Sequence, residues 1–265
     1  MPRQLFNAKN VFIGVVHLPP LPGSPRSDGN VDKVLAWAEA EAAVLAEGGV
    51  HAIIVENFGD VPFRIGSLDP VTVSAMTLAV GRVIQTTSLP VGINMLRNDA
   101  ASALAVAAVT GAGFIRVNVH YGVMSADEGL VTGEASETLR RRQALGVDVK
   151  ILADVLVKHA VPLGKQDLGL MARETVQRGL ADGLIISGPA TGQPTQRSDV
   201  AEARSAVPEG FILVGSGVTD ANARELLSIA DGAIVGTSLK RDGVVTNPLD
   251  PQRVRAMAAV FADSA

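Results

Sequence analysis

The sequence predicts an α/β fold, a single domain built as a closed (β/α)8 barrel. Three observations point there: short β-branched runs alternate with longer Ala/Leu-rich amphipathic segments along the chain, the strand-like runs number eight, and 265 residues suits one such barrel. Charged residues make up 19% and aromatics only 3%, so the core has to be built from Ala, Val, Ile and Leu, as helices packed on a parallel sheet prefer.

The strands are expected at Val11–Val16, Ala52–Glu56, Val91–Asn94, Phe114–Val117, Val149–Asp154, Gly183–Ser187, Ile212–Val214 and Ala233–Val235. In the first helix Val31, Val34, Leu35, Ala38, Ala42 and Leu45 fall on one face, Asn30 can cap the start, and Gly48-Gly49 can end it. The same stop signal returns at Thr110-Gly111-Ala112-Gly113 and at Arg178-Gly179-Leu180-Ala181-Asp182-Gly183, each feeding the next strand. No low-complexity linker interrupts the series. The longer connections Leu18–Asn30, Asn57–Asp69 and Asn118–Val131 each follow a strand and precede a helix, on the face where barrel sites form, and one of them is a candidate lid.

Charge and composition exclude several classes. The 23 basic and 27 acidic side chains leave a net charge of −4, with no basic run and few aromatics to stack on bases, which argues against a nucleic-acid partner. There is no cysteine, so disulfides, thiolate zinc sites and a cysteine nucleophile are out. The N-terminus lacks an apolar signal core and no stretch is apolar enough to span a bilayer, so a cytoplasmic protein without a membrane span is expected. A homo-oligomer suits a barrel of this size, although no segment marks an interface.

The last two strand-like runs end in Gly215-Ser216-Gly217 and Gly236-Thr237-Ser238. Glycines let backbone approach an anion, hydroxyls add donors, and a helix starting at about Thr219 would aim unpaired N–H groups at the same point. Loops after the seventh and eighth strands are where barrels commonly hold phosphate. The alternative is two tight strand-to-helix turns with no ligand. The sixth unit, from Ser187 and Gly188 through Thr191-Gly192 to Gln193-Pro194, could extend the cradle or simply be a Pro/Gly turn.

A ring of polar residues sits at the expected C-terminal ends of the strands: His17, Glu56 with Asn57, Asn94, Arg116, Asn118 with His120, Asp154 with Lys158 and His159, and Ser187. A barrel converges these positions on one pocket. His17, with a side chain that titrates near neutrality, could act as acid or base or pin the proline loop that follows it. Glu56 and Asp154 could serve as base, metal ligand or hydroxyl acceptor, or could pair with Arg97, Arg116 or Lys158 and only order the pocket. The His-x-His of a binuclear hydrolase barrel is absent after the first strand, as are a Gly-x-Ser-x-Gly elbow and a P-loop. No cofactor is required by any motif; a Mg2+ held by Glu56, Asp154 and substrate oxygens is the one metal the carboxylates would suit. Lys150 begins its strand at the wrong end for a Schiff base, and Lys158 is better placed to bind an anion.

Five blocks together resemble the BtpA family, named for a photosystem I biogenesis factor. They are Gly14-Val15-Val16-His17-Leu18-Pro19-Pro20-Leu21-Pro22-Gly23-Ser24-Pro25-Arg26, Ile54-Val55-Glu56-Asn57-Phe58-Gly59-Asp60-Val61-Pro62-Phe63, Phe114-Ile115-Arg116-Val117-Asn118-Val119, Ala153-Asp154-Val155-Leu156-Val157-Lys158-His159-Ala160, and Val214-Gly215-Ser216-Gly217-Val218-Thr219 with Ile234-Val235-Gly236-Thr237-Ser238-Leu239-Lys240. The similarity spans nearly the whole chain. It implies a TIM barrel of the ribulose-phosphate-binding group. Thr195-Gln196 departs from the acidic residue expected shortly after the Thr-Gly-x-Pro turn.

The function expected from the residues is an enzyme acting on a small phosphorylated metabolite, a sugar phosphate or phosphorylated nucleoside fragment, by isomerisation, epimerisation or a lyase step. His17, Glu56, Asn118, Asp154 and Lys158 would surround the reacting atoms. Two alternatives stand beside it: a non-catalytic assembly factor of the photosystem I type, and a metal-assisted phosphate-ester or nucleotide hydrolase.

Overall fold

The computed structural model describes residues 5–164, 167–188 and 193–264. Eight parallel strands close a barrel: β1 (Val11–His17), β2 (Ala52–Glu56), β3 (Val91–Asn94), β4 (Phe114–Val117), β7 (Lys150–Val155), β9 (Gly183–Ile186), β10 (Ile212–Val214) and β11 (Gly232–Val235), with β1 paired to both β2 and β11. Three further strands, β5 (Val123–Ala126), β6 (Gly129–Thr132) and β8 (Ala160–Pro162), form a small antiparallel sheet from the loops after β4 and β7. The helices are α1 (Val31–Gly48), α2 (Pro70–Thr86), α3 (Ala100–Thr110), α4 (Ala135–Leu145), α5 (Leu168–Gln177), α6 (Arg197–Ala206), α7 (Ala223–Leu227) and α8 (Pro251–Asp263).

Local signals act as expected at several ends. The Asn30 side chain accepts from the Lys33 N–H, and Gly49 closes α1 in the left-handed conformation at φ 91°. Gly111 closes α3 in the same way at φ 84°. The expected strands agree with the observed ones to within a residue at each end, from Ala52–Glu56 unchanged to β1 extended by His17. The helix expected from about Thr219 instead begins at Ala223 and runs only five residues, because the Asn222 side chain accepts from the Thr219 N–H and donates to the Gly217 carbonyl, closing a turn there. A helix dipole is therefore not part of the cradle.

Side chains alternate across each strand, so every second residue enters the barrel. The lower interior is apolar: Ile13, Ile54, Leu152, Ile185, Leu213 and Ile234 pack there with Phe6, Phe114 and Phe211. Gly92 makes room for Phe114; a Cβ on it would lie 2.1 Å from the Phe114 ring. Residues facing outward join the helices in the larger core, including Phe12, Val16, Ile53, Val55 and Ile93. Carrying the inward alternation one layer up brings His17, Glu56, Asn94, Arg116, Asp154, Ser187, Gly215 and Gly236 to the upper mouth. Register agrees, pairing His17 with Glu56, Glu56 with Asn94 and Asn94 with Arg116 across successive strands. Among the described residues no helix is long and apolar enough to cross a membrane.

Candidate active site

At one side of the mouth lies a cavity of about 290 Å³, walled by the loops after β10 and β11 and reaching His17, Glu56, Arg116 and Lys158. Its cradle is Gly215–Thr219 together with Gly236–Ser238. The N–H groups of Gly217, Val218, Thr237 and Ser238 donate to no backbone carbonyl among the described residues. Two of the hydroxyls are engaged within the protein: Ser216 Oγ accepts from the Gly188 N–H at 2.8 Å, and Ser238 Oγ donates to the Val218 carbonyl at 2.7 Å. Glycine is needed sterically here, since a Cβ on Gly236 would stand 2.6 Å from His17 Cε1 and one on Gly215 would stand 2.5 Å from Ser187 Oγ. Gly217, at φ 65°, passes so close to the Gln193 carbonyl that a Cβ would lie 2.1 Å from its oxygen. Thr191 and Gly192 lie outside the described residues.

A second cavity, of about 470 Å³, opens on the other side of Glu56 and Lys158, which line both. It is walled by Phe58, Val61, Pro62, Phe63 and Leu96 on one side and by Arg97, Asn118, Asp127 and Glu128 on another.

Between the cavities the polar ring is ordered by hydrogen bonds. Asp154 receives Arg116 in a bidentate pair, Nε to Oδ2 and Nη2 to Oδ1 both at 2.8 Å, with Asn118 Nδ2 donating at 3.1 Å and Ser187 Oγ at 3.0 Å. Burial alone would lower the Arg116 pKa, but the Asp154 carboxylate outweighs it and the net shift is upward. Asp154 therefore has no oxygen open toward the cavity and orders Arg116 and Asn118. Glu56 is different: Oε1 accepts from Asn94 Nδ2 at 2.9 Å, and Oε2 lies 3.8 Å from His17 Nε2, beyond hydrogen-bond distance.

His17 packs edge-on against Phe58, its Nδ1 is buried without a partner, and its carbonyl accepts from Trp37 Nε1. Burial, then the nearby Lys240, Lys158 and Arg116 charges, hold its pKa well below 6.5, so it is neutral at neutral pH. Lys158 Nζ has neither a hydrogen bond nor an ion pair among the described residues. Burial and then the Arg116 charge lower its pKa, with Glu56 and Asp154 opposing.

Not every residue of the expected ring reaches the cavities. His120 is fully buried with Nε2 2.7 Å from the Gly179 carbonyl, turned toward the end of α5. Asn57 is spent on the loops, donating to Asp60 and the Leu96 carbonyl and accepting from the Leu96 N–H. Asp60 in turn accepts from the Leu21 N–H, which fixes the proline loop beside His17. Arg97, Glu128 and Arg253 line the cavities without marking a strand end. Arg253 does stand just after Asp250-Pro251, a helix-start signal that places its guanidinium near the cradle. Among the described residues no cluster of three or more His, Cys, Asp or Glu side chains is placed to hold a metal.

Fold and site define a (β/α)8 barrel with a glycine-built cradle beside a polar, strand-end pocket. The model of the BtpA family matches residues 8–263, and the chain belongs to that family. It is 52% identical over 260 residues to the photosystem I biogenesis protein BtpA of Synechocystis, covering 98% of this chain and 91% of that one. A protein of Pyrococcus furiosus is 43% identical over 257 residues, covering 96% of each chain. Among solved structures, KGPDC from Streptococcus mutans superposes with a TM-score of 0.60 at 13% identity, covering 97% of this chain and 98% of that one. Phosphoribosyl anthranilate isomerase from Thermus thermophilus gives 0.59 at 10% identity, covering 96% and 100%. At such identities the likeness lies in the fold: all are TIM barrels.

Proposed function

We propose that this chain is an enzyme acting on a small phosphorylated metabolite of the sugar-phosphate kind. The observation that carries the reading is the placement of Glu56 and Lys158 between a glycine cradle and a larger cavity with both apolar and charged walls, both of which they line. A phosphate on Gly215–Gly217 and Gly236–Ser238, within reach of Arg253, would hold the reacting carbons against Glu56. Glu56 takes a proton from a carbon next to a carbonyl, the Lys158 ammonium stabilises the enediolate oxygen, and neutral His17 can donate a hydrogen bond from Nε2. Where that carbon bears a hydroxyl, returning the proton to the former carbonyl carbon, while the hydroxyl proton passes to the enediolate oxygen through His17 Nε2, completes an isomerisation. Arg116 and Asp154 hold the shape of this surface, and Asn118 orients its Nδ2 toward Asp154. Mg2+, where it takes part, has Glu56 and substrate oxygens to bind, since Asp154 is occupied; this is also what the hydrolase alternative would require.

The test is a thermal-shift screen with inorganic phosphate, sugar phosphates and nucleotides, with and without Mg2+, because a ligand of the native state raises Tm by mass action. A selective rise with a sugar phosphate, retained in Glu56→Gln while turnover is lost, supports the reading. No shift from any phosphorylated compound overturns it. A shift that requires Mg2+ favours the hydrolase instead. The 52% identity to a protein named for photosystem I biogenesis favours one second reading, an assembly factor. That reading expects capture of a defined protein partner that is indifferent to Glu56→Gln.

A further inference from the structure

The sheet formed by β5, β6 and β8 packs on its own small core of Val119, Met124, Val131 and Val157. The turn of its hairpin is Asp127-Glu128, and this turn carries Glu128 down into the wall of the larger cavity. There the Glu128 side chain is 5% exposed, with Oε2 3.7 Å from the Nε of Arg97, itself 5% exposed. That distance is too long for a hydrogen bond, and both atoms are buried without a partner, as is Asn118 Oδ1 in the same wall. Leaving such groups unpaired costs free energy that a structural role would not need. Glu128 is also held above the usual carboxylate range, by burial first.

Three features narrow what would satisfy these groups. The cavity's charges balance: Arg26, Arg97 and Lys158 face Glu56, Asp127 and Glu128, unlike the cradle side, where Arg116, Lys158 and Arg253 outnumber Glu56. A second phosphate therefore has no excess of cations to meet it. The unpaired set, carboxylate and amide oxygens beside a guanidinium N–H, matches hydroxyl groups, which donate and accept at one atom. Opposite stand Phe58 and Phe63, inclined at 64° with centroids 6.5 Å apart, an apolar wall but no parallel slot for a flat base.

We infer that the larger cavity is a subsite for a second, neutral, hydroxylated ring, so that the substrate is a phosphorylated sugar bearing a further sugar-like group, and that Glu128 is its specificity-determining contact. The inference rests on the phosphate reading above. Because Glu56 and Lys158 line both cavities, the bond between the two rings would pass beside them.

Calorimetry with the 6-phosphates of glucose, trehalose, sucrose and cellobiose, and with AMP, tests this on the full chain. At least one disaccharide phosphate is expected to bind ten-fold or more tightly than glucose 6-phosphate. In Glu128→Gln that advantage shrinks at least five-fold while glucose 6-phosphate is unchanged, and Phe63→Ala reports the same loss from the opposite wall. If glucose 6-phosphate binds and no disaccharide phosphate binds better, the second subsite is wrong and the phosphate reading stands. Tighter binding of AMP than of every disaccharide phosphate overturns the sugar-like assignment. If no phosphorylated compound binds, both readings fall.

Discussion

Replacing Arg116 by methionine isolates what orders the centre of the site. The pair it makes with Asp154 is almost fully enclosed, at 2% and 0% side-chain exposure, and consists of two charge-assisted hydrogen bonds of 2.8 Å. Removing Arg116 leaves Asp154 buried with only Asn118 and Ser187 as donors. Breaking one side of such a pair costs about 3–5 kcal/mol, because a charge is left without its counterion. For a chain of this size that corresponds to a fall in Tm on the order of 10 °C. Arg116→Met with Asp154→Leu removes both charges and leaves only Asn118 Nδ2 and Ser187 Oγ short of an acceptor, so the double variant should be less destabilised than either single one, by about 1–3 kcal/mol. Urea unfolding of the two singles and the double closes the cycle. A single substitution costing less than about 1 kcal/mol, or strictly additive effects, would refute the view that this pair holds the surface together.

Other consequences follow from the same contacts. All four histidines, His17, His51, His120 and His159, sit below 6.5 because burial disfavours the imidazolium, so below that pH the unfolded chain binds more protons than the folded one. Stability should rise with pH through that window and fall as pH drops beneath 6.5; His17→Gln should flatten the slope in urea melts by up to about 1.4 kcal/mol per pH unit, and an unchanged slope would contradict its burial. Gly217→Ala meets both a φ of 65° and a carbonyl 2.1 Å from the new Cβ, so it should unfold at a markedly lower urea concentration than Gly29→Ala, where nothing lies within 4 Å. Lys240 is fully buried against Glu41, which also accepts from the Leu249 N–H, and lies 5.4 Å from the centre of the Trp37 ring. Lys240→Met should cost about 3–5 kcal/mol in thermal unfolding, and a change within about 0.5 kcal/mol would show that Glu41 does not depend on it.

Much of the barrel is legible in the sequence because its strands are short β-branched runs bounded by glycine, and because every second residue must enter the interior. That parity alone brings His17, Glu56, Asn94, Arg116 and Asp154 to one layer. Pairing of Asp154 with Arg116 is among the partnerships the charges allow, but choosing Arg116 over Arg97 or Lys158 depends on neighbouring register that a single strand does not encode. The small β5–β6–β8 sheet is hidden for a related reason. Val123–Ala126 and Gly129–Thr132 are four residues each, and their third partner, Ala160–Pro162, lies across an intervening helix and strand. Glu128 consequently gives no local sign of entering the mouth. His120 sits two residues past Asn118 in the same loop, where the backbone no longer follows strand alternation, and its ring turns to Gly179. Asn222, by capturing the Thr219 N–H, delays the helix that the Gly-Ser-Gly turn otherwise suggests.

The most direct test of the phosphate cradle is isothermal titration of inorganic phosphate into the wild-type chain and into Gly236→Ala, whose methyl group would press on His17. One phosphate per chain, bound in the millimolar range or tighter and weakened at least ten-fold by the alanine while the circular dichroism spectrum is preserved, is the expected result. Absence of binding at phosphate concentrations of about 10 mM, where a Kd of about 1 mM would nearly saturate the site, would contradict it.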